Sequence, residues 1–445
     1  MSDFIWGVKD TVEAANGGQD MEMCWTRFFG ENLVHAVKDG LVPEENINQS
    51  ALRIVRTLLA FTQADERVYD KSVPGSGEHV ALALEAAEKG ITLIKNDKET
   101  LPLSREKDLR IAVIGKLAEQ GNIGDYGSSR VFPQYIITPV EGIKKLAPNS
   151  EVIFCDGVDI NHARDVARSA DAVVFVVGYD HADEGEYVSG DQMNAALEMG
   201  GDRVQSLGLH ADEINLIKEI GPVNKRSAAI LIGGNMIMID EWKDSVSAII
   251  MAYYPGMEGG TALARILFGD VNPSGKLPFV IPNKESDLPQ VNWDTESQWY
   301  DYYHGYTKLE KGGVEPSVPY GFGLSYTSFK LANQSFAVRD SLVIASCDVA
   351  NTGHHAGDEV IQLYIGFKNS RVDRPVKILR GFSRVSLNMG ETKRVSISCD
   401  LERLRWFNPE SDQWELESMQ YEAYIGTSSC NADLLHGAFY LGNLN

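Results

Sequence analysis

Five short runs of apolar residues do most to limit how this chain can fold. RIAVIG (110–115), EVIFC (151–155), DAVVFVVG (171–178), SAAILIG (227–233) and VSAIIMAYY (246–254) are rich in Val, Ile and Ala, without polar alternation. Runs of this kind suit strands buried on both faces of a parallel sheet, since alternation marks a sheet with one wet face. The helical stretches HARDVARSA, DEINLIKEI and GGTALARILFG lie among them, and HVALALEAAEKG followed by ITLIKN precedes them. Strand–helix alternation over about 200 residues implies an α/β layered domain, here spanning residues 76–285. Chemistry in such domains collects at the carboxyl ends of the strands. Those ends run into Gly178-Tyr179, Gly233-Gly234 and Tyr254-Pro255-Gly256.

The flanks read differently. Residues 1–75 are mostly helical in pattern: Ile47, Ala51, Ile54, Val55 and Leu58 recur at the spacing of one helix face, after Pro43 and two glutamates that suit a helix start. A polar stretch from Asp65 to Gly77 reads as a linker. Residues 286–327 form an aromatic, polar connection containing WDTESQWYDYYHGY. From 328 to 445 apolar residues alternate, as in Val343, Ala345, Cys347 and Val349, or Tyr421, Ala423 and Ile425. Period-two segments between turn residues predict an antiparallel β-sandwich.

Composition removes several function classes. The formal net charge of −22 disfavours nucleic acid and anionic membrane surfaces, both of which call for a basic face. No apolar run approaches the roughly 20 residues that span a bilayer. Cys24, Cys155, Cys347, Cys399 and Cys430 are scattered, with no CxxC, which indicates neither a zinc module nor a disulfide framework. MSDFIWGVKD has no basic or apolar export signal, so the expected location is cytoplasmic.

Two motifs reduce to bland readings. In GDVNPSGKLP five residues separate Gly269 from Gly275, and Leu277 stands where a phosphate loop needs Ser or Thr, so it reads as a Pro/Gly turn. His354-His355 sits in a turn of the β region without ligand spacing, so no metal is expected. The stretch from Tyr179 to Arg203 is more informative. It carries Asp180, Asp183, Glu184, Glu186, Asp191, Glu198 and Asp202 directly after a buried strand. A run of acids is usually a solvated loop, yet this position is where catalytic groups are mounted, and crowded carboxylates raise one another's pKa.

MSDFIWGVKDTVEAANGGQDMEM resembles the nucleophile segment of glycoside hydrolase family 3, the β-glucosidase group. GDYGSSRVFPQYIITPVEGI, VFVVGYDHADEGEYV, GGDRVQSLGL, YYPGMEGGTALARILFGDVNPSGKLPFVIP and VPYGFGLSYTSF resemble that family's α/β sandwich domain, in order. GDEVIQLYIGF and RPVKILRGFSRVSL resemble its fibronectin type III-like domain. The resemblance implies that Asp3 is the nucleophile and Glu184 the general acid/base, with Glu186 as the fallback. It implies that Gly127, Ser128 and Ser129 help build the active-site face. Trp6 and Tyr179 are left open between stacking on a sugar and packing in a core.

Two local departures stand out: Cys24, where many members have Pro, and the gap between DEGE and Gly201-Asp202-Arg203. A larger one is that only Met1 and Ser2 precede Asp3, so the chain is expected to be an N-terminally truncated member carrying the end of a (β/α)8 barrel. The implied chemistry is retaining hydrolysis of a small β-glycoside, with the two carboxyl groups about 5–5.5 Å apart and no cofactor. A homo-oligomer, or a chain supplying the missing barrel half, is the implied partner. The rival reading is a non-catalytic carbohydrate-binding or scaffold protein.

Overall fold

The computed structural model describes residues 1–2, 7–23, 25–64, 70–105, 108–188, 199–201, 203, 206–292 and 294–442. It divides into two compact units, 1–74 and 75–445.

The first unit is helical over its described residues: α1 (Thr11–Asn16), α2 (Glu31–Lys38) and α3 (Glu44–Ala64). Asp10 caps α1 by accepting from the Glu13 amide at 2.7 Å. The Glu22 carboxylate accepts the amides of Phe28 and Phe29 and so fixes the turn before α2. Val8, Ala15, Phe29, Ala36 and Val42 form a small core, against which Ile47 packs. The helix reading holds along α3, and its apolar face is packed only at the start. Val55 and Leu58 are 50% and 62% exposed, since the described core reaches no further along α3 than Ile47.

The second unit opens with α4 (Gly77–Gly90) and β1 (Thr92–Asn96), then β2 (Arg110–Ile114), α5 (Pro139–Leu146), β3 (Glu151–Cys155), α6 (Ile160–Ser169) and β4 (Ala172–Gly178). A short hairpin follows, β5 (Gly185–Val188) with β6 (Met199–Gly201). Then come α7 (Ala211–Ile220), β7 (Ser227–Ile232), β8 (Ala248–Tyr253) and α8 (Gly259–Leu267). The main sheet has the order β1-β8-β7-β4-β2-β3. All its pairings are parallel except β1 on β8, so the sheet is mixed at one edge.

The five apolar runs are its five parallel strands, and β4 is buried at every residue. Ile111, Val113, Val174 and Ile230 face α5 and α8 on one side; Ala112, Phe175, Val177 and Leu231 face α6 and α7 on the other. That two-sided burial is why the runs lack alternation. On the first side α5 and α8 touch through glycines, since a Cβ on Gly142 would lie 2.0 Å from the Gly260 carbonyl oxygen.

Residues 286–327 are more ordered than a plain connection. They hold α9 (Gly305–Gly312), ended by Gly313 in the left-handed conformation at φ 65°. The chain then returns to the sandwich, where Leu324 N donates to Leu93 O at 2.8 Å on edge strand β1.

Beyond it are β9 (Phe329–Arg339), β10 (Leu342–Asn351), β11 (Gly357–Gly366), β12 (Lys377–Leu387), β13 (Thr392–Asp400), β14 (Trp406–Asn408), β15 (Gln413–Glu415), β16 (Gln420–Gly426) and β17 (Leu434–Tyr440). They form two antiparallel sheets, β13-β10-β9 and β12-β11-β16-β17, with a small β14-β15 hairpin. Val343, Ala345, Cys347 and Val349 are fully buried against Ile361, Tyr421, Ala423 and Ile425, as the alternation predicts. Cys155, Cys347, Cys399 and Cys430 are free thiols.

Candidate active site

The carboxyl ends of three neighbouring strands converge on one side chain. At the end of β4 the backbone turns at Gly178, φ 131°, where a Cβ would meet the Ile232 carbonyl at 1.9 Å. The chain then makes a tight turn, with Asp183 N and Glu184 N both donating to Asp180 O at 3.1 Å. This turn delivers Glu184 to the end of the sheet. There Tyr254 Oη, just past β8, donates to Glu184 Oε1 at 2.9 Å. Gly234 N, just past β7, donates to the same oxygen. Arg203 Nε binds Glu184 Oε2 at 3.0 Å, with the two side chains only 8% and 14% exposed.

Arg203 is fixed in turn. Its guanidinium lies 4.4 Å over the Tyr179 ring, and one terminal nitrogen donates to Met236 O at 2.9 Å. Tyr179 is 4% exposed and donates its hydroxyl to Gly208 O. Of the two roles left open for it, packing is the one observed. It is the platform for Arg203.

Glu186 lies on β5 in a different setting. Its amide donates to Asp125 Oδ1 at 2.9 Å, and its carboxylate accepts the Ser128 amide. Ser129 Oγ donates to Asp125 Oδ2 at 2.6 Å, and Gly127 N donates to Oδ1 at 3.0 Å. The 127–129 loop is therefore joined to the hairpin that carries Glu186. Among the acids expected after β4, Asp191, Glu198 and Asp202 lie outside the described residues, as do Asp3, Trp6 and Cys24.

The electrostatics depart from the expected crowding of acids. The Ser128 hydroxyl and amide hold Glu186 below its ordinary range. Burial pushes Asp125 up, but donors from Ser129, Gly127 and Glu186 outweigh it and bring the group to about 2. Burial likewise pushes Asp180 up, but the Gln120 amide and the Ala182 N–H outweigh it and hold the group below its ordinary value. Local donors, supplied by the turns, neutralise the repulsion that the sequence suggested.

Beside the turn that carries Glu184, a carboxyl group that the sequence reading missed does rise. Glu213 on α7 is 5% exposed, and burial lifts it to about 7. Its Oε1 accepts Gly178 N at 3.1 Å; its Oε2 is buried without a partner among the described residues. It sits on the helix beneath the turn that delivers Glu184. The available signal was an acid in an otherwise apolar helix face, with Leu216, Ile217 and Ile220 as its buried neighbours.

The glycosyl hydrolase family 3 C-terminal domain matches residues 91–326, more than half of the chain. The chain belongs to glycosyl hydrolase family 3. A fibronectin type III-like domain, as found beside it, matches residues 359–429. Among family relatives, the thermostable β-glucosidase B of Acetivibrio thermocellus is 32% identical over 95% of this chain and 56% of its own length. A β-xylosidase of Formosa agariphila is 34% identical over 87% of this chain and 54% of its own. This family 3 chain thus spans about half the length of those two relatives. The crystal structure of the β-D-glucoside glucohydrolase from Trichoderma reesei superposes with a TM-score of 0.87 at 24% identity, over 98% of this chain and 67% of that one. That likeness shows the shared fold.

Proposed function

We propose that this family 3 protein is a retaining β-glycosidase of the β-glucosidase type, acting on a small β-glycoside. Asp3 would attack the anomeric carbon as the bond to the leaving oxygen breaks, forming a glycosyl ester. The acid/base would give its proton to that oxygen, then take one from the water that attacks the same carbon and frees Asp3. A second copy, or a chain bringing further barrel strands, is the partner that this reading allows.

The observation that carries the reading is the convergence of the ends of β4, β7 and β8 on Glu184, at the end of the sheet where such sites form. Glu184 is the acid/base that the family pattern favours. A specific observation keeps Glu186 beside it: both oxygens of Glu184 are already engaged by Tyr254, Gly234 and Arg203. A general acid must offer an oxygen to the leaving group, and Glu186 is the more open of the two.

The test is release of phenol from an aryl β-glucoside by the purified chain, and its loss in Asp3→Asn. Binding of the glucoside without any turnover would replace this reading by that of a carbohydrate-binding protein.

A further inference from the structure

A second feature borders Arg203. A cavity of about 720 Å³ opens there within the larger unit, bordered by Arg203, the 300–307 segment, Phe279 and, across it, Ile378 of the β-sandwich region. The volume is that of a small-molecule site.

Its lining has two kinds of surface. Tyr300, Tyr302, Tyr306 and Phe279 supply aromatic side chains. Tyr300 and Tyr302 are 54% and 66% exposed, and the adjacent Trp299 is 91% exposed. Large aromatic side chains left in water side by side are the unusual kind of exposure, the kind that marks a contact surface. The hydroxyls of Tyr300, Tyr302 and Tyr320 and the Asn235 amide nitrogen make no hydrogen bond among the described residues. A purely apolar occupant would bury these groups unpaired, at a cost. Arg203 is the one Lys, Arg, Asp or Glu in the described lining; Glu184 balances its charge through Nε, while the buried Nη1 of Arg203 has no partner among the described residues and suits a neutral acceptor. A neutral saccharide answers both surfaces, with axial C–H faces for the rings and hydroxyls at its rim for the open donors and acceptors.

We propose that this cavity, whose described lining includes neither Glu184 nor Glu186, is an accessory saccharide site that holds a neutral oligosaccharide against Tyr300 and Tyr302. Choosing a β-glucan oligosaccharide as the probe rests on the glycosidase reading; the site itself does not.

The test is calorimetric titration of the full-length Asp3→Asn chain with cellotriose, which removes turnover. Binding is expected, with at least a tenfold loss of affinity in Tyr300→Ala/Tyr302→Ala. Both side chains are exposed, so an unchanged unfolding midpoint is expected and is checked alongside. Tyr300→Phe/Tyr302→Phe, which keeps the ring faces, should lose less. Absence of cellotriose binding, binding unchanged in the double alanine variant, or equal binding of 4-methylphenol would each overturn the proposal. Cellotriose binding that responds to these variants, in a chain that releases no phenol from aryl glucosides, would remove the glycosidase reading and leave this site standing.

Discussion

Arg203 Nε and Glu184 Oε2 meet at 3.0 Å with both side chains nearly out of solvent. The pair is the junction between the hairpin and the strand ends, because Arg203 is held by the Tyr179 ring and the Met236 carbonyl, and Glu184 by Tyr254 and Gly234.

Breaking that pair from one side should be costly. Arg203→Met leaves the Glu184 carboxylate buried without its cation, and the expected loss is about 3 kcal/mol in urea unfolding. Arg203→Met/Glu184→Met should recover most of it, since no lone charge remains. A single variant as stable as the parent would show that water reaches the pair.

Glu184 and Glu186 should separate by leaving-group dependence. Replacing the acid/base with Ala should slow glucosides with poor leaving groups far more than activated aryl ones, because only the former need protonation. The comparison is kcat/KM for phenyl against 2,4-dinitrophenyl glucoside in Glu184→Ala and Glu186→Ala. The variant with the steep dependence carries the acid; equal losses on both substrates mark the positioning residue.

Glu213 should make stability depend on pH. Its folded carboxyl, lifted by burial to about 7 from the ordinary 4.5, binds a proton more tightly than in the unfolded chain. Lys116 and His210 pull it down and Asp212 pushes it up, all less than burial does. The folded state therefore keeps its full contribution below about 4.5 and loses it progressively as pH rises to about 7. The difference is of the order of 3 kcal/mol. Glu213→Gln, which keeps an oxygen for Gly178 N, should flatten the denaturant midpoint between pH 5 and 8. An unchanged slope would contradict the assignment.

The helical unit should be the less protected one in hydrogen exchange. Its described core is Val8, Ala15, Phe29, Ala36 and Val42, whereas β4 and β7 are buried at every residue. Amides of α1–α3 should exchange well before those of β4 and β7. Comparable protection in both would mean that Val55 and Leu58 are covered in solution.

The sandwich was legible because a strand buried on both faces must be apolar at successive positions, as in DAVVFVVG, and because a one-faced strand must alternate, as in β10. The place of the site was legible for a related reason: Tyr179, Gly234 and Tyr254 follow directly on such strands, and strand ends are where a parallel sheet presents loops. By contrast, α3 read only as a helix with one apolar face, and the structure alone shows that its small core reaches Ile47 and leaves Val55 and Leu58 exposed.

What the amino-acid sequence by itself determined, then, was the order and type of the main elements and the acidic stretch after β4 that carries Glu184 and Glu186. Tertiary structure decided the state of the acids. Glu184 meets Gly234, fifty residues on, and Tyr254, seventy residues on. Glu213 rises because α7 presses it under the end of β4, while Asp125 falls because Ser129 and two backbone amides turn toward it. Burial and hydrogen bonding set a carboxyl group's charge, and both depend on neighbours that the linear order of residues does not name.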